Sequence, residues 1–173
     1  FDLGIIRNHY VGRTFIEPSQ KIRQLGIKLK HNTNKKLIKG KKVILVDDSI
    51  VRGTTAIKII KMIRDAEASE VHLRISSPPI KFPDYYGIDT PTKDELIAAN
   101  ASIENIREKL QLDSLHFLSI KGLYNAMGFD NRSSNCPQFT DHCFTGDYPT
   151  KLKDQSSEDN IRQLSLLFET EKE

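Results

Sequence analysis

The chain has 173 residues, with 26 basic and 23 acidic side chains and a formal net charge of +3. This length suffices for one ordinary domain with a hydrophobic core, and the near balance of charge does not indicate a nucleic-acid partner. No apolar run reaches the roughly 20 residues of a membrane-spanning helix, and no signal peptide is evident, so we expect a cytoplasmic protein without a membrane partner. Two cysteines are too few for a disulfide framework.

Residues 7–18 form a polar segment that contains several cations and a glycine, Gly12. Arg7, Tyr10 and Arg13 could contact phosphate groups there, because guanidinium groups in particular pair well with phosphate oxygens. The alternative is a basic loop whose side chains only meet solvent.

The central pattern begins at residues 43–46, where four consecutive β-formers predict a strand buried on both faces, as in a parallel sheet. Two acids follow at once. We expect Asp47 to end the strand and Asp48 to begin a loop, so that both carboxylates can reach one ligand. Residues 56–64 then predict a helix, because apolar side chains recur along one side. Those side chains are Ile57, Ile60 and Ile63.

The loop between this strand and this helix has the composition of a phosphate-binding turn. A helix N-terminus offers free N–H groups and the positive end of the helix dipole. Gly53 allows a ligand to approach the backbone closely. Hydroxyl groups and a cation are also available in this loop, from Ser49, Thr54, Thr55 and Arg52.

Asp47 and Asp48 cannot themselves bind a phosphate, because like charges repel. They suit sugar hydroxyls, or a Mg²⁺ ion, which prefers oxygen ligands. A diol site beside a phosphate site describes a ribose 5-phosphate. The alternative is an ordinary strand–helix turn, but two adjacent acids at the end of a buried strand are costly unless they bind something.

Further along, the patterns alternate between strand and helix. A strand over 71–75 is followed by two prolines that end it, at the sheet edge that also carries the two acids. The Thr92-x-x-Glu95 spacing is that of a capping box, and Ser119 caps a later helix. The other predicted elements are helices over 93–100, 102–110 and 120–127, a strand over 115–118, a C-terminal helix from about residue 156, and loops over 31–36 and 131–149.

The run from Val43 to Thr55 resembles the signature of the type I phosphoribosyltransferases, which bind phosphoribosyl pyrophosphate (PRPP). Further segments are similar to glutamine amidophosphoribosyltransferase, the first committed enzyme of purine synthesis. The resemblance covers about residues 4–149, and the segments that carry it are 7–18, 76–80, 86–91, 94–98, 119–123 and 143–149.

This resemblance implies an α/β fold of the type I phosphoribosyltransferase kind, with a mainly parallel sheet flanked by helices and with helical C-terminal elements. It implies a partial transferase domain over 1–128 and a C-terminal loop and helix over 129–173. Tyr10 and Arg13 would act in catalysis by closing over the pyrophosphate, and Asp47 and Asp48 would also support Mg²⁺. The implied PRPP-binding residues are Arg7, Asp47, Asp48, Ser49, Ile50, Val51, Arg52, Gly53, Thr54 and Thr55.

In the intact family, ammonia released from glutamine attacks carbon 1 of PRPP and gives 5-phosphoribosylamine, glutamate and pyrophosphate. The chain begins at Phe1 rather than Met and lacks the glutaminase domain and the opening transferase strands, so we interpret it as part of a longer, homo-oligomeric enzyme. Alone it should have no glutaminase activity and little or no transferase activity. Three alternatives remain: a nucleobase phosphoribosyltransferase, a non-enzymatic PRPP-binding regulator, and an inert truncated fragment.

Some family members hold a [4Fe–4S] cluster on four thiolates. One of those thiolates lies near the segment in which this chain has Asp84, and a later C-x-x-C element would need a thiol at Phe139. Cys136 and Cys143 are the two cysteines of the sequence. The resemblance therefore implies that this chain is similar to the members without an iron–sulfur cluster.

Overall fold

A three-stranded parallel sheet organises the fold. The computed structural model describes residues 2–7, 31–88, 90–135 and 137–150. Strands β1 (Ile5–Arg7) and β2 (His31–Thr33) form a short antiparallel pair. The parallel sheet consists of β3 (Lys42–Asp47), β4 (Glu70–Ile75) and β5 (Ser114–Phe117), with β4 in the middle. The predicted strands and their parallel arrangement are confirmed.

Four of the described helices lie between consecutive strands, and two follow the last strand. Among the described residues, none of them is both long and apolar enough to cross a bilayer. They are α1 (Lys35–Ile38), α2 (Thr54–Asp65), α3 (Ile97–Asn100), α4 (Ile103–Lys109), α5 (Ile120–Ala126) and α6 (His142–Thr145), with a 3-10 turn over Lys93–Glu95.

The core lies on one face of the sheet. Along β4, the side chains of Val71, Leu73 and Ile75 are buried, while the alternate side chains are only partly covered. This is the period-two pattern that the sequence predicts. Helices α2 and α4 cover that face, with Ile63 and Ile106 fully buried against it. Each such side chain contributes about 1.5–3 kcal/mol through burial.

Strand β3 departs from the prediction. It pairs with β4 along one edge, and Ile44 and Val46 are 63% and 69% exposed. The expectation of a strand buried on both faces is therefore wrong for the part of the chain that the structure describes. The physical reason is that the described helices cover the face that carries Val43 and Leu45, and nothing described covers the other.

Three further predictions need correction. The helix over 93–100 is interrupted at Leu96, whose ψ of 111° is extended, and the Thr92 hydroxyl makes no capping hydrogen bond among the described residues. The predicted loop over 31–36 holds β2 and the start of α1, and the loop over 131–149 holds α6. By contrast, the Ser119 cap is confirmed, since its hydroxyl oxygen accepts from the Gly122 N–H at 3.0 Å.

The expected helix near the C-terminus, from about residue 156, lies outside the described residues. The same is true of the segment that carries Tyr10 and Arg13.

Candidate functional site

The candidate site lies where β3 ends and α2 begins. Asp47 is the last residue of β3, Asp48 follows it, and α2 starts at Thr54. Gly53 precedes the helix with a φ of 77° and a ψ of −4°, in the left-handed region that glycine adopts without strain. The strand–loop–helix unit is thus arranged as its sequence predicts.

The loop lines an open cavity of about 320 Å³. This volume is at the low end of the range for small-molecule sites. Every candidate residue from Asp47 to Thr55 borders the cavity, and Pro91 also lines it. The PRPP-binding candidates of this run are therefore brought together in space around one cavity.

The two acidic side chains fold back onto the start of the loop. The Asp48 N–H donates to Asp47 Oδ1 at 3.0 Å, and the Ser49 N–H donates to Asp48 Oδ1 at 2.6 Å. The Ser49 hydroxyl also lies 3.4 Å from Asp48 Oδ1. These short-range hydrogen bonds hold both carboxylates against the start of the loop, and both residues line the cavity.

The base of the loop is anchored in the core. Ile50 is buried and packs in the hydrophobic cluster, which ties the loop to the core. The Ile97 N–H donates to the Val51 carbonyl oxygen at 3.0 Å. A Cβ on Gly53 would lie 3.0 Å from Ile97 Cδ1, so a glycine is needed for close packing as well as for its positive φ.

Arg52 makes an ion pair that sequence reasoning did not find. Its Nε and Nη2 atoms donate to the two carboxylate oxygens of Glu95 at 3.0 and 3.1 Å. The hydrogen bond from Arg52 holds the pKa of Glu95 below its usual value. Arg52 was predicted as a cation for phosphate, but in the structure its guanidinium joins the loop to the 3-10 turn.

The end of β4 lies beside the end of β3, where Ser76 contacts Asp47. The Ser76 N–H donates to the Asp47 carbonyl oxygen at 3.0 Å, and the Ser76 hydroxyl donates to the same oxygen at 3.2 Å. This arrangement follows from parallel pairing, because the carboxyl ends of β3 and β4 meet at one edge of the sheet.

Three predicted residues are not placed at the site. Arg7 ends β1, but the position of its side chain is not described. Tyr10 and Arg13 lie outside the described residues. The structure therefore places the residues expected for the diol and the phosphate around one cavity, and the side chains expected to close over pyrophosphate lie outside its described part.

Comparison with known proteins gives close relatives, although no family model matches the chain. It is 60% identical over 168 residues to the amidophosphoribosyltransferase of Rhizobium etli and 48% identical over 166 residues to that of Bacillus subtilis. The chain matches one segment of the amidophosphoribosyltransferases. Each alignment includes 96% of the chain, which spans about a third of either relative, namely 34% and 35%.

Solved amidophosphoribosyltransferase structures share the fold. The B. subtilis glutamine PRPP amidotransferase, solved in complex with ADP and GMP, superposes with a TM-score of 0.74 at 49% identity, covering 92% of this chain and 35% of that chain. A second structure, described as the allosteric regulatory enzyme of purine biosynthesis, also gives 0.74 at 48% identity. The resemblance and the fold class that the sequence predicts are confirmed.

Asp84, the residue that this chain has near one of the implied cluster thiolates, lies beside His142 and Cys143 of α6. Asp84 hydrogen-bonds His142 at 2.7 Å between Oδ2 and Nε2, and Cys143 is the free thiol nearby. Although burial favours the neutral acid, N–H groups of Ile88 and Tyr86 and the His142 ring hold the pKa of Asp84 below its usual value. Residue 84 thus presents a carboxylate, not a thiolate.

Proposed function

We propose that this chain forms the PRPP-binding and transfer part of an amidophosphoribosyltransferase. One observation carries the proposal: paired carboxylates lie at the end of β3, in the same cavity as a glycine-containing loop at the start of α2. The whole enzyme would convert glutamine, water and PRPP to 5-phosphoribosylamine, glutamate and pyrophosphate. High identity to named amidophosphoribosyltransferases supports this assignment over a nucleobase transferase.

In this proposal the ribose hydroxyls of PRPP bind at Asp47 and Asp48. The 5-phosphate sits against the N–H groups and hydroxyls of residues 49–55, where the positive end of the α2 dipole favours an anion. The oxygen donors of the two acids fit a Mg²⁺ ion, which when bound would neutralise charge on the pyrophosphate. Ile50 and Val51 contribute through their backbone.

Closure and attack would complete the reaction. Arg7, Tyr10 and Arg13 would cover the pyrophosphate and exclude water from the cationic sugar that forms as it departs. Ammonia, supplied by a glutaminase domain, would then attack carbon 1. No side chain of this chain needs to act as a nucleophile, so catalysis rests on positioning and on stabilisation of charge.

Further features are part of the same proposal. Residues 1–128 would form a partial transferase domain, with 129–173 packed on it. Contacts such as the hydrogen bond from the Tyr148 hydroxyl to the Pro83 carbonyl oxygen support that packing. The parent would be a cytoplasmic homo-oligomer with no nucleic-acid or membrane partner and no iron–sulfur cluster.

Calorimetry with PRPP and Mg²⁺ tests the binding site. We expect Asp47→Asn and Asp48→Asn each to weaken binding at least about tenfold, because each variant loses a charged acceptor for hydroxyls or metal. Glu104→Gln, which changes an exposed carboxylate on α4, is the matched control and should bind like the parent. Unchanged PRPP affinity in both Asp variants, with native circular dichroism, would overturn the proposal.

A further inference from the structure

A second cluster of chemically reactive side chains lies apart from the β3 loop. Asp84 follows β4, and His142 and Cys143 begin α6. The ligand atoms of these three residues lie within 4.8 Å of one another. The closest pair is Asp84 Oδ2 and His142 Nε2 at 2.7 Å, and Cys143 Sγ lies 4.0 Å from the same oxygen.

The cluster is shielded from solvent. The side chains of Asp84 and His142 are only 3% and 5% exposed, and Cys143 is half-buried. His142 Nδ1 is buried as well and has no hydrogen-bond partner among the described residues. A buried nitrogen without a partner is rare in native proteins, so this ring has a hydrogen-bonding position that the described residues leave unused.

We propose that Asp84, His142 and Cys143 bind a single divalent transition-metal ion of the Zn²⁺ class. A carboxylate, an imidazole and a thiolate together select such an ion, whereas Mg²⁺ and Ca²⁺ prefer oxygen ligands alone. Zn²⁺ holds these donors at about 2.0–2.3 Å, so two donors of a tetrahedral site lie about 3.3–3.8 Å apart. The separations of 2.7 and 4.0 Å lie on either side of that range, so shifts of about half an ångström would seat the ion.

Metal binding would change the protonation of the cluster. The Cys143 thiol would lose its proton to solvent as the sulfur–metal bond forms, and His142 Nε2 would donate its lone pair, with the ring proton on Nδ1. The hydrogen bond from His142 to Asp84 then describes the metal-free form, in which a proton bridges the two groups. Three protein ligands would leave a fourth tetrahedral position for water.

The site would join two parts of the chain that are far apart in sequence. The segment after β4 already contacts α6, because the Lys81 and Phe82 N–H groups donate to the Cys143 carbonyl oxygen at 2.9 and 3.1 Å. A metal ion on Asp84 and His142 would add a bond across 58 residues of sequence. Since the ion binds the folded form, it would raise the thermal midpoint.

Co²⁺ added to the chelator-treated 173-residue chain tests this site, independently of PRPP binding. We expect one equivalent to bind, with the visible bands of tetrahedral Co²⁺ and a thiolate-to-cobalt charge-transfer band, and Zn²⁺ to displace it. Cys143→Ser should abolish the charge-transfer band, and His142→Asn should weaken binding at least about tenfold. Cys136→Ser and His116→Asn are the matched controls and should leave the spectrum unchanged.

Two results would overturn the proposal. One is the absence of a charge-transfer band at any Co²⁺ concentration in a chain that is folded by circular dichroism. The other is a band that survives Cys143→Ser and disappears in Cys136→Ser, which would assign the thiolate to the other cysteine. Cys143→Ser is a nearly isosteric change, so a folded variant is expected for this comparison.

Discussion

The guanidinium group of Arg52 and the carboxylate of Glu95 form a two-point ion pair between the candidate phosphate loop and the 3-10 turn before α3. Such a planar, two-bond contact fixes the direction of Arg52 as well as its distance from Glu95. Both side chains are about half exposed, so the pair orients the loop and adds little to the stability of the fold.

The first prediction concerns this pair. Arg52→Ala and Glu95→Ala should each weaken PRPP binding by a similar factor, about two- to fivefold, because either change releases the same constraint on the loop. The double variant should bind no more weakly than either single variant. Calorimetry with PRPP and Mg²⁺ measures all three. A much larger loss for Arg52→Ala than for Glu95→Ala would instead indicate that Arg52 contacts a phosphate.

The second prediction concerns Gly53. Alanine there would take up a φ of 77° and would press its Cβ against Ile97 Cδ1 at 3.0 Å. The left-handed conformation alone should lower the free energy of unfolding by about 1–2 kcal/mol, and the contact with Ile97 should lower it further. Urea denaturation measures both effects. Gly40→Ala is the matched control, since Gly40 has a φ of 69° with nothing within 4 Å of the added Cβ. Equal losses in the two variants would mean that Ile97 adapts to the extra methyl group.

The sequence predicts the β3–α2 unit well because every part of it is local. A run of β-formers, two acids, a glycine and a helical repeat follow one another within residues 43–64, so hydrogen bonding between near neighbours determines the turn. The partner of Arg52 could not be predicted in this way, because Glu95 lies 43 residues away. The Thr92-x-x-Glu95 spacing predicts a capping box, but the Thr92 hydroxyl makes no capping bond among the described residues, and the Glu95 carboxylate also pairs with Arg52.

Strand β4 and strand β3 show why burial is harder to predict than secondary structure. Along β4, polar and apolar residues alternate, so the sequence itself predicts which face of the strand is buried. In β3, apolar residues occupy both faces, and that pattern alone does not specify which elements cover them. The exposure of Ile44 and Val46 depends on the neighbours of the sheet, not on the strand itself.

The third prediction is a pH dependence at Asp113. The Val71 N–H at 2.6 Å, together with Arg64 at 2.7 Å, holds the pKa of Asp113 below its ordinary value of 3.8. Because the pKa of Asp113 is lower in the folded state than in the unfolded state, its carboxylate stabilises the fold above about pH 4. This stabilisation is lost as the pH falls through the pKa of the folded state.

Urea denaturation from pH 7 to pH 2.5 measures that effect. Asp113→Asn should lower the free energy of unfolding by about 1 kcal/mol at pH 7, and the difference from the parent should shrink as the pH falls below about 4. Asp130→Asn makes the same change at an exposed position and is the matched control. A difference for Asp113→Asn that stays constant over the whole range would contradict the assignment of the effect to its charge.

The fourth prediction compares two side chains on adjacent strands. Leu73 is fully buried at the centre of the sheet, whereas Val46 is 69% exposed on β3. Leu73→Ala should destabilise the 173-residue chain by about 2–5 kcal/mol in urea denaturation, because it removes buried methyl groups and leaves a cavity. Val46→Ala should change stability by no more than about 0.5 kcal/mol. A loss for Val46→Ala near that for Leu73→Ala would show that the outer face of β3 is covered in solution.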